Sequence, residues 1–290
     1  MTAEISGPWT HRDVSAGGTR FHVAEAGEGP LVLLLHGFPE FWWNWHHQLG
    51  ALASAGYRAA AVDLRGYGGS DKPPRGYDLI TLAGDAAGLV RALGEANAIV
   101  IGHDWGGLLA WTMAVYHPKV VSRLVAVSAP HPLRLRQSPG TPWMSRTVRF
   151  QVPLWPERQL VKDDAAQAGR LLHEWSAAGW PDDRTERHVR DAVQIPGVAH
   201  SALEYHRWFL RSVPRPDGIR YAHRMAAPVQ VPTLHLHGAL DPALPPYAAQ
   251  GSGRYVEAPY TWTLIEAAGH FPHEERPHTF NEELLSWLAR

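Results

Sequence analysis

Ala98-Ile99-Val100-Ile101-Gly102-His103-Asp104-Trp105-Gly106-Gly107 is the stretch on which the reading of this chain turns. A short apolar run leads into small residues around one carboxylate. An apolar helical pattern, Leu108 to His117, then continues until Pro118 stops it. That layout predicts a buried strand, a tight turn and a helix, with Asp104 held at the apex. Small residues are needed there because the backbone of such a turn is strained and other segments pass close to it. A carboxylate at the apex narrows the chemistry. It is already ionised at neutral pH, so it can attack an electrophilic sp³ carbon without help from a base.

Outward from this stretch the same rhythm repeats. Leu31 to Leu35 is continuously apolar and ends at His36-Gly37, as expected of a strand buried on both faces of a parallel sheet. Trp42 to Ala55 reads as a helix, Tyr57 to Val62 as a strand ending at Asp63, and Ile80 to Leu93 as a helix. Ala98 to Gly102 is the strand feeding the turn, and Val120 to Val127 is the next one. The alternation defines an α/β fold with a mostly parallel, doubly wound sheet. From His131 to Pro228 it lapses into Pro, Trp and Arg among helical stretches such as Asp163 to Trp175 and Glu186 to Val193. It resumes at Thr233 to His237 and Thr261 to Ile265, and a helix from Thr279 to Leu288 closes the chain. The expected division is a core of residues 1–130 and 229–290, with a helical cap insertion over 131–228. Internal repeats and low-complexity tracts are missing.

Composition excludes several classes of function. With 290 residues, 45% hydrophobic and 19% charged, the chain can bury a sizeable core and is not globally disordered. A net charge of −1 with no Lys/Arg stripe argues against a nucleic-acid partner. There are no cysteines, which removes disulfides, thiolate metal sites and a thiol nucleophile. Met1 to Thr10 has neither a basic start nor an apolar core, and Leu31 to Leu35 is too short to span a bilayer. No signal peptide and no membrane association are expected, and a cytoplasmic location fits. The sequence does not set the oligomeric state, and a homodimer is compatible with it.

Three residues in loops after strands carry the candidate chemistry. Asp104 sits at the turn, Asp241 lies in His237-Gly238-Ala239-Leu240-Asp241-Pro242, and His270 lies in Ala268-Gly269-His270-Phe271-Pro272. Loops at the carboxyl ends of parallel strands converge on one crevice, so distance along the chain does not separate them. Each signal alone has an ordinary reading: a turn carboxylate, a helix-start Asp before Pro242, a structural Gly-His. Together, and with His36-Gly37-Phe38-Pro39 after an early strand, they read as one site.

At this point the chain resembles the epoxide hydrolases of the α/β-hydrolase fold. The likeness is carried by His36-Gly37-Phe38-Pro39-Glu40 with Trp42-Trp43 and by Gly102-His103-Asp104-Trp105-Gly106. Asp63-Leu64-Arg65-Gly66-Tyr67-Gly68 with Ser70-Asp71 adds to it. The resemblance covers nearly the whole chain except the cap. It implies Asp104 as nucleophile, His270 as base and Asp241 as the residue that orients it, with the amides of Phe38 and Trp105 as oxyanion hole. The order nucleophile, acid, histidine is also that of the fold. An apolar epoxide and water would be the reactants, with no cofactor required.

The chain departs from that family in the cap. The resemblance implies two cap tyrosines facing the nucleophile. One is expected just before Arg in a segment resembling Ala202-Leu203-Glu204-Tyr205-His206-Arg207, where this chain has His206, with Tyr205 before it. The other is expected a few residues before Phe150-Gln151, where Arg146 or a neighbour stands and no Tyr occurs. Tyr205 and His206 are therefore the candidate donors, and packing on a helix face is the plain alternative for His206. Thirteen tryptophans and eighteen histidines make any single Trp or His a weak signal. His103 reads as packing that points away from the crevice, and His36 as a brace for the oxyanion turn. Trp105 reads as a pocket wall whose indole N–H would also suit a halide. The pairs His46-His47 and His235/His237 lack a third ligand at a convincing spacing, so no metal is expected. Trp143, Trp155, Trp175, Trp180 and Trp208 make the cap aromatic and suggest an apolar pocket. Two rival readings remain: a haloalkane dehalogenase-like enzyme with the same nucleophile, and a hydrolase fold that binds a ligand without turnover. Phe38, where many dehalogenases carry Asn, favours the epoxide branch.

Overall fold

The computed structural model describes residues 3–290; Met1 and Thr2, the start of the segment read for a leader, lie outside the described residues. The sheet begins with a hairpin that the sequence reading did not contain. It consists of β1 (Thr10–Ala16) and β2 (Thr19–Ala26), antiparallel in the register Ala16↔Thr19. Gly17 and Gly18 connect them at φ +57° and +77°, the positive values that a two-residue hairpin turn needs at both positions. The remaining strands follow the apolar runs: β3 (Leu31–Leu35), β4 (Arg58–Val62), β5 (Ala98–His103), β6 (Val121–Val127), β7 (Thr233–Gly238) and β8 (Tyr260–Ile265). Their order in the sheet is β1-β2-β4-β3-β5-β6-β7-β8. β2 meets β4 antiparallel, and every pairing from β4 to β8 is parallel. The chain leaves β3 in one direction and returns to its other side at β5, so the strand order reverses between those two. Such a reversal opens a crevice beyond the strand ends. The segments His36-Gly37-Phe38 and Asp104 lie there.

Among the helices, α1 (His46–Ser54) follows a 3₁₀ turn over Trp42–Trp45, so the single helix read from Trp42 is two short pieces. α2 is Leu79–Ala92, capped by Asp78, whose side chain accepts from the Thr81 amide. α3 (Trp105–Tyr116) starts directly at the turn, three residues before the helical pattern in the sequence. Trp105 to Val115 are all buried, so the helix presents no polar face to betray its start.

Between β6 and β7 run six helices: α4 (Pro132–Arg136), α5 (Pro142–Arg149), α6 (Trp155–Trp175), α7 (Asp183–Val193), α8 (Val198–Arg211) and α9 (Pro216–Met225). α6 begins earlier than the sequence suggested. The expected start at Asp163 falls on a break where Asp163, Asp164 and Ala165 adopt φ of 51°, 57° and 52°. Arg190 and Gln194 of α7 hold that break through the Asp164 carboxylate and carbonyl, at 2.7–2.9 Å. α10 (Pro246–Ala249), α11 (Pro272–Glu275) and α12 (Pro277–Leu288) complete the chain. No helix among the described residues is long and apolar enough to cross a membrane.

The turn at Asp104 depends on contacts that leave no room for side chains. A Cβ on Gly102 would lie 2.1 Å from the Gly106 carbonyl oxygen, and one on Gly106 would lie 2.1 Å from that of Leu35. The Gly106 amide donates to the His36 carbonyl at 3.0 Å, which locks α3 against the end of β3. Gly106→Ala is expected to lower unfolding free energy by about 3 kcal/mol, because the backbone of a central strand must shift. Urea unfolding measures this; a midpoint equal to that of the parent would contradict the contact.

Candidate active site

Asp104 occupies φ 47°, ψ −113° between β5 and α3, a conformation rare for a residue with a side chain. Its carboxylate is buried and its two oxygens differ. Oδ2 accepts the Phe38 amide at 3.0 Å. Oδ1 accepts the indole Nε1–H of Trp143 at 2.8 Å and lies 3.8 Å from His270 Nε2. A Cβ on Gly37 would sit 2.6 Å from that of Asp104, so glycine is required where the Phe38 turn meets the carboxylate. His36 holds that turn. Its Nε2 accepts from the Leu64 amide at 3.0 Å, which leaves Nδ1–H to donate to the Gly37 carbonyl at 2.8 Å. Trp105 contributes the first amide of α3, a donor with no partner inside the helix.

His270 follows β8 and is wholly buried. Its Nδ1–H donates to Asp241 Oδ2 at 2.8 Å. Asp241, after β7, is itself fixed by the amides of Ala243 and Leu244, both 2.9 Å from Oδ1. Burial works against a charged imidazole, but the carboxylates of Asp241 and Asp104 outweigh it and push the pKa of His270 up to about 10. The reverse holds for the acids: burial raises them, and the neighbouring imidazolium pulls Asp104 and Asp241 below the ordinary carboxylate range. The resting site is thus one cation between two anions, shielded from water.

The chain matches the α/β hydrolase fold over residues 30–277. It is similar to Epoxide hydrolase 3 of Xenopus tropicalis, 34% identical with 99% of this chain and 80% of that protein covered. It is likewise similar to Epoxide hydrolase 3 of Siraitia grosvenorii, 40% identical with 97% and 98% covered. The chain belongs to the epoxide hydrolase family of the α/β-hydrolase fold. The crystal structure of Epoxide Hydrolase A from Mycobacterium thermoresistibile superposes with a TM-score of 0.85 at 29% identity, covering 97% of this chain and 98% of that one.

Above Asp104 the two expected donors are engaged with other partners. Tyr205 does not reach the carboxylate: its hydroxyl donates to the Arg65 carbonyl at 2.7 Å, and its ring packs on Tyr67 and Tyr77. This binds α8 to the loop after β4, which the buried Arg65–Asp85 ion pair fixes to α2 at 2.6 and 2.9 Å. His206 lies close to the site but has no free nitrogen. Nε2 accepts the indole N–H of Trp105 at 3.1 Å, so the proton sits on Nδ1, which faces Thr147 Oγ1 at 2.9 Å. Burial, opposed by the charge of Asp104, pushes the His206 pKa down to about 3, so the ring is neutral and cannot serve as an acid. Neither of the two residues expected to face the nucleophile as donor bonds Asp104; each is engaged with another partner. Trp143 makes that contact instead, a residue the sequence offered only as one aromatic among many. Arg146, at the other expected tyrosine position, pairs with Glu174 at 2.8 Å and lies over the Trp175 ring.

Other residues support the site from behind. His103 faces away from the crevice, with Nδ1 2.9 Å from Glu40 Oε2 and Nε2 2.8 Å from the His270 carbonyl oxygen. Glu275, not singled out in the sequence, accepts the amides of Gly269, Phe271 and Ala177 at 2.7–2.9 Å. The His270 amide donates to the Trp175 carbonyl at 2.8 Å. Of the five tryptophans between β6 and β7, Trp143 and Trp175 face the site, Trp180 packs on Phe271, Trp208 on Tyr221, and Trp155 is exposed. Two groups of donors have ligand atoms within 4.8 Å of one another, Glu40/His103/His273 and His46/His47/Glu274. The second supplies, across the fold, the third donor that the His46-His47 pair lacks in sequence. His235 and His237 instead bond Tyr260 and the Leu244 carbonyl at 3.0 and 2.7 Å.

Asp104→Asn removes one of the two charges that keep His270 protonated. The imidazole pKa is expected to fall from about 10 by about 1–3 pH units, followed through the ring resonances by NMR. An unchanged titration would mean that Asp104 does not act on His270.

Proposed function

We propose that this chain hydrolyses an epoxide to a vicinal diol through a covalent ester on Asp104. The observation that carries this reading is the division of labour within that carboxylate: Oδ2 is tied to the Phe38 amide, while Oδ1 faces the Trp143 indole and His270. Oδ1 attacks a ring carbon, the C–O bond breaks, and its electron pair moves to the ring oxygen. Formation of the ester removes the charge on Asp104. One of the two anions supporting the imidazolium is then gone, so the His270 pKa falls and the ring becomes able to accept a proton from water. Asp241 keeps Nε2 aimed at that water. The water oxygen attacks the ester carbonyl as its proton passes to His270, and the developing oxyanion is Oδ2, already bonded to the Phe38 amide and adjacent to that of Trp105. Collapse of this intermediate breaks the bond between the carboxyl carbon and Oδ1, which leaves in the diol with the proton of the newly formed carboxyl group. Each such donor contributes about 3–4 kcal/mol to the transition state.

We further propose that α4–α9, within residues 131–228, form a cap over the crevice, with the aromatic rings of Phe38, Phe150 and Trp175 suiting an apolar substrate. The absence of cysteine from the sequence suits a cytoplasmic setting. Displacement of halide from a haloalkane is the second reading. It draws on Trp143, because an indole N–H suits a leaving group that departs as an anion and needs no proton.

Asp104→Ala is expected to abolish diol release from aryl or alkyl oxiranes. With His270→Gln the ester should accumulate, seen as an adduct in intact mass. Heavy oxygen from solvent should enter the Asp104 carboxyl group over repeated turnovers of the parent enzyme. Halide release without oxirane turnover would assign the second reading, and no adduct with either substrate class would leave ligand binding.

A further inference from the structure

Resting on the epoxide reading, we propose that Trp143 replaces the cap tyrosines, its indole N–H holding Oδ1 at rest and the ring oxygen during attack. The geometry is specific. Trp143 is buried, with Nε1 2.8 Å from Oδ1, the oxygen on the His270 side of the carboxylate. Its amide donates to the Ala243 carbonyl at 3.0 Å, and the Ala243 amide binds Asp241 Oδ1. The donor is thus anchored to the same loop that orients the base. Its ring packs against Trp105 at 5.2 Å and stands edge-on to Phe209 at 5.7 Å. The other candidates are engaged: Tyr205 with the Arg65 carbonyl, His206 with Trp105 and Thr147, Arg146 with Glu174.

An indole gives a hydrogen bond and keeps its proton. The alkoxide formed when the ring C–O bond breaks therefore takes its proton from a water molecule, which is restored by the His270 imidazolium. That transfer leaves the imidazole neutral, as the second step requires, and the proton returns to His270 when it deprotonates the hydrolytic water. A tyrosine cap cycles its own proton; here one histidine carries the proton for both steps. Trp143 touches the reacting oxygen, and its effect belongs to alkylation, not to ester hydrolysis.

Trp143→Phe keeps the ring and removes the N–H. With His270 in place, ester formation from an aryl oxirane in a single turnover, followed by rapid-quench intact mass, should slow by about a hundredfold to a thousandfold. With His270 present, decay of the ester in a single turnover should keep its rate. Equal adduct rates with Trp143 and Phe at this position would overturn the role of Trp143 while leaving the epoxide reading intact. No diol from any oxirane with the parent protein would instead remove the epoxide reading. Should Trp143→Phe fail to fold, the indole N–H resonance of Trp143 provides a second test. It should move upfield in Asp104→Ala, and an unmoved resonance would overturn the proposal.

Discussion

At the junction of β5 and α3 the backbone of Asp104 is held at φ 47° because three glycines let neighbouring main chains close around it. The Gly106 amide is bonded to the end of β3 and the Asp104 amide to the end of β6, at 3.0 and 3.1 Å. The turn is over-determined by the sheet, which is how a strained residue persists. Its consequence is positional. The carboxylate lies beyond the strand ends where the strand order reverses, with Oδ2 against the Phe38 turn and Oδ1 toward Trp143 of α5 and the His270 loop. Without that pinned turn the loops after β7 and β8 would have nothing to converge on.

Electrostatics then separates the roles of groups that are chemically similar. Asp104 and Asp241 are both buried carboxylates beside the same imidazole, yet their other partners differ. Asp241 has two backbone amides and a fixed histidine bond. Asp104 has one backbone amide on Oδ2 and one indole donor on Oδ1. One carboxylate is fixed by main chain and the other by main chain on one oxygen only. His206, under the same burial but with no hydrogen bond to a carboxylate, is neutral. Of three buried histidines within the site region, His36 and His206, with no carboxylate bonded to the ring, are pushed down by burial, while His270 beside two carboxylates is pushed up.

The core of this architecture was legible because parallel strands, buried on both faces, write themselves as apolar runs, and the glycines around Asp104 mark a turn that tolerates no Cβ. The antiparallel hairpin of β1 and β2 was harder to see. In β1 only Val14 and Ala16 are buried, so its alternation is faint, although the Gly17-Gly18 step between the two strands is a hairpin signal that was passed over. The contacts above Asp104 were not legible for a different reason. Which of two adjacent residues on α8 turns inward depends on the phase of that helix, and it is set by the Tyr205 bond to Arg65, a residue 140 positions away. Trp143 could not be chosen among thirteen tryptophans without knowing that its main chain is tied to Ala243.

The amide bond from His270 to the Trp175 carbonyl, together with the Glu275 clamp on Gly269 and Ala177, makes the C-terminal end of α6 and the base a single mechanical unit. Any shift of that end of α6 would carry the imidazole away from Asp104. The helices on either side of the base are thus moored to the loops that build it: α6 to the His270 loop, and α5, through the Trp143 amide and the Ala243 carbonyl, to the Asp241 loop.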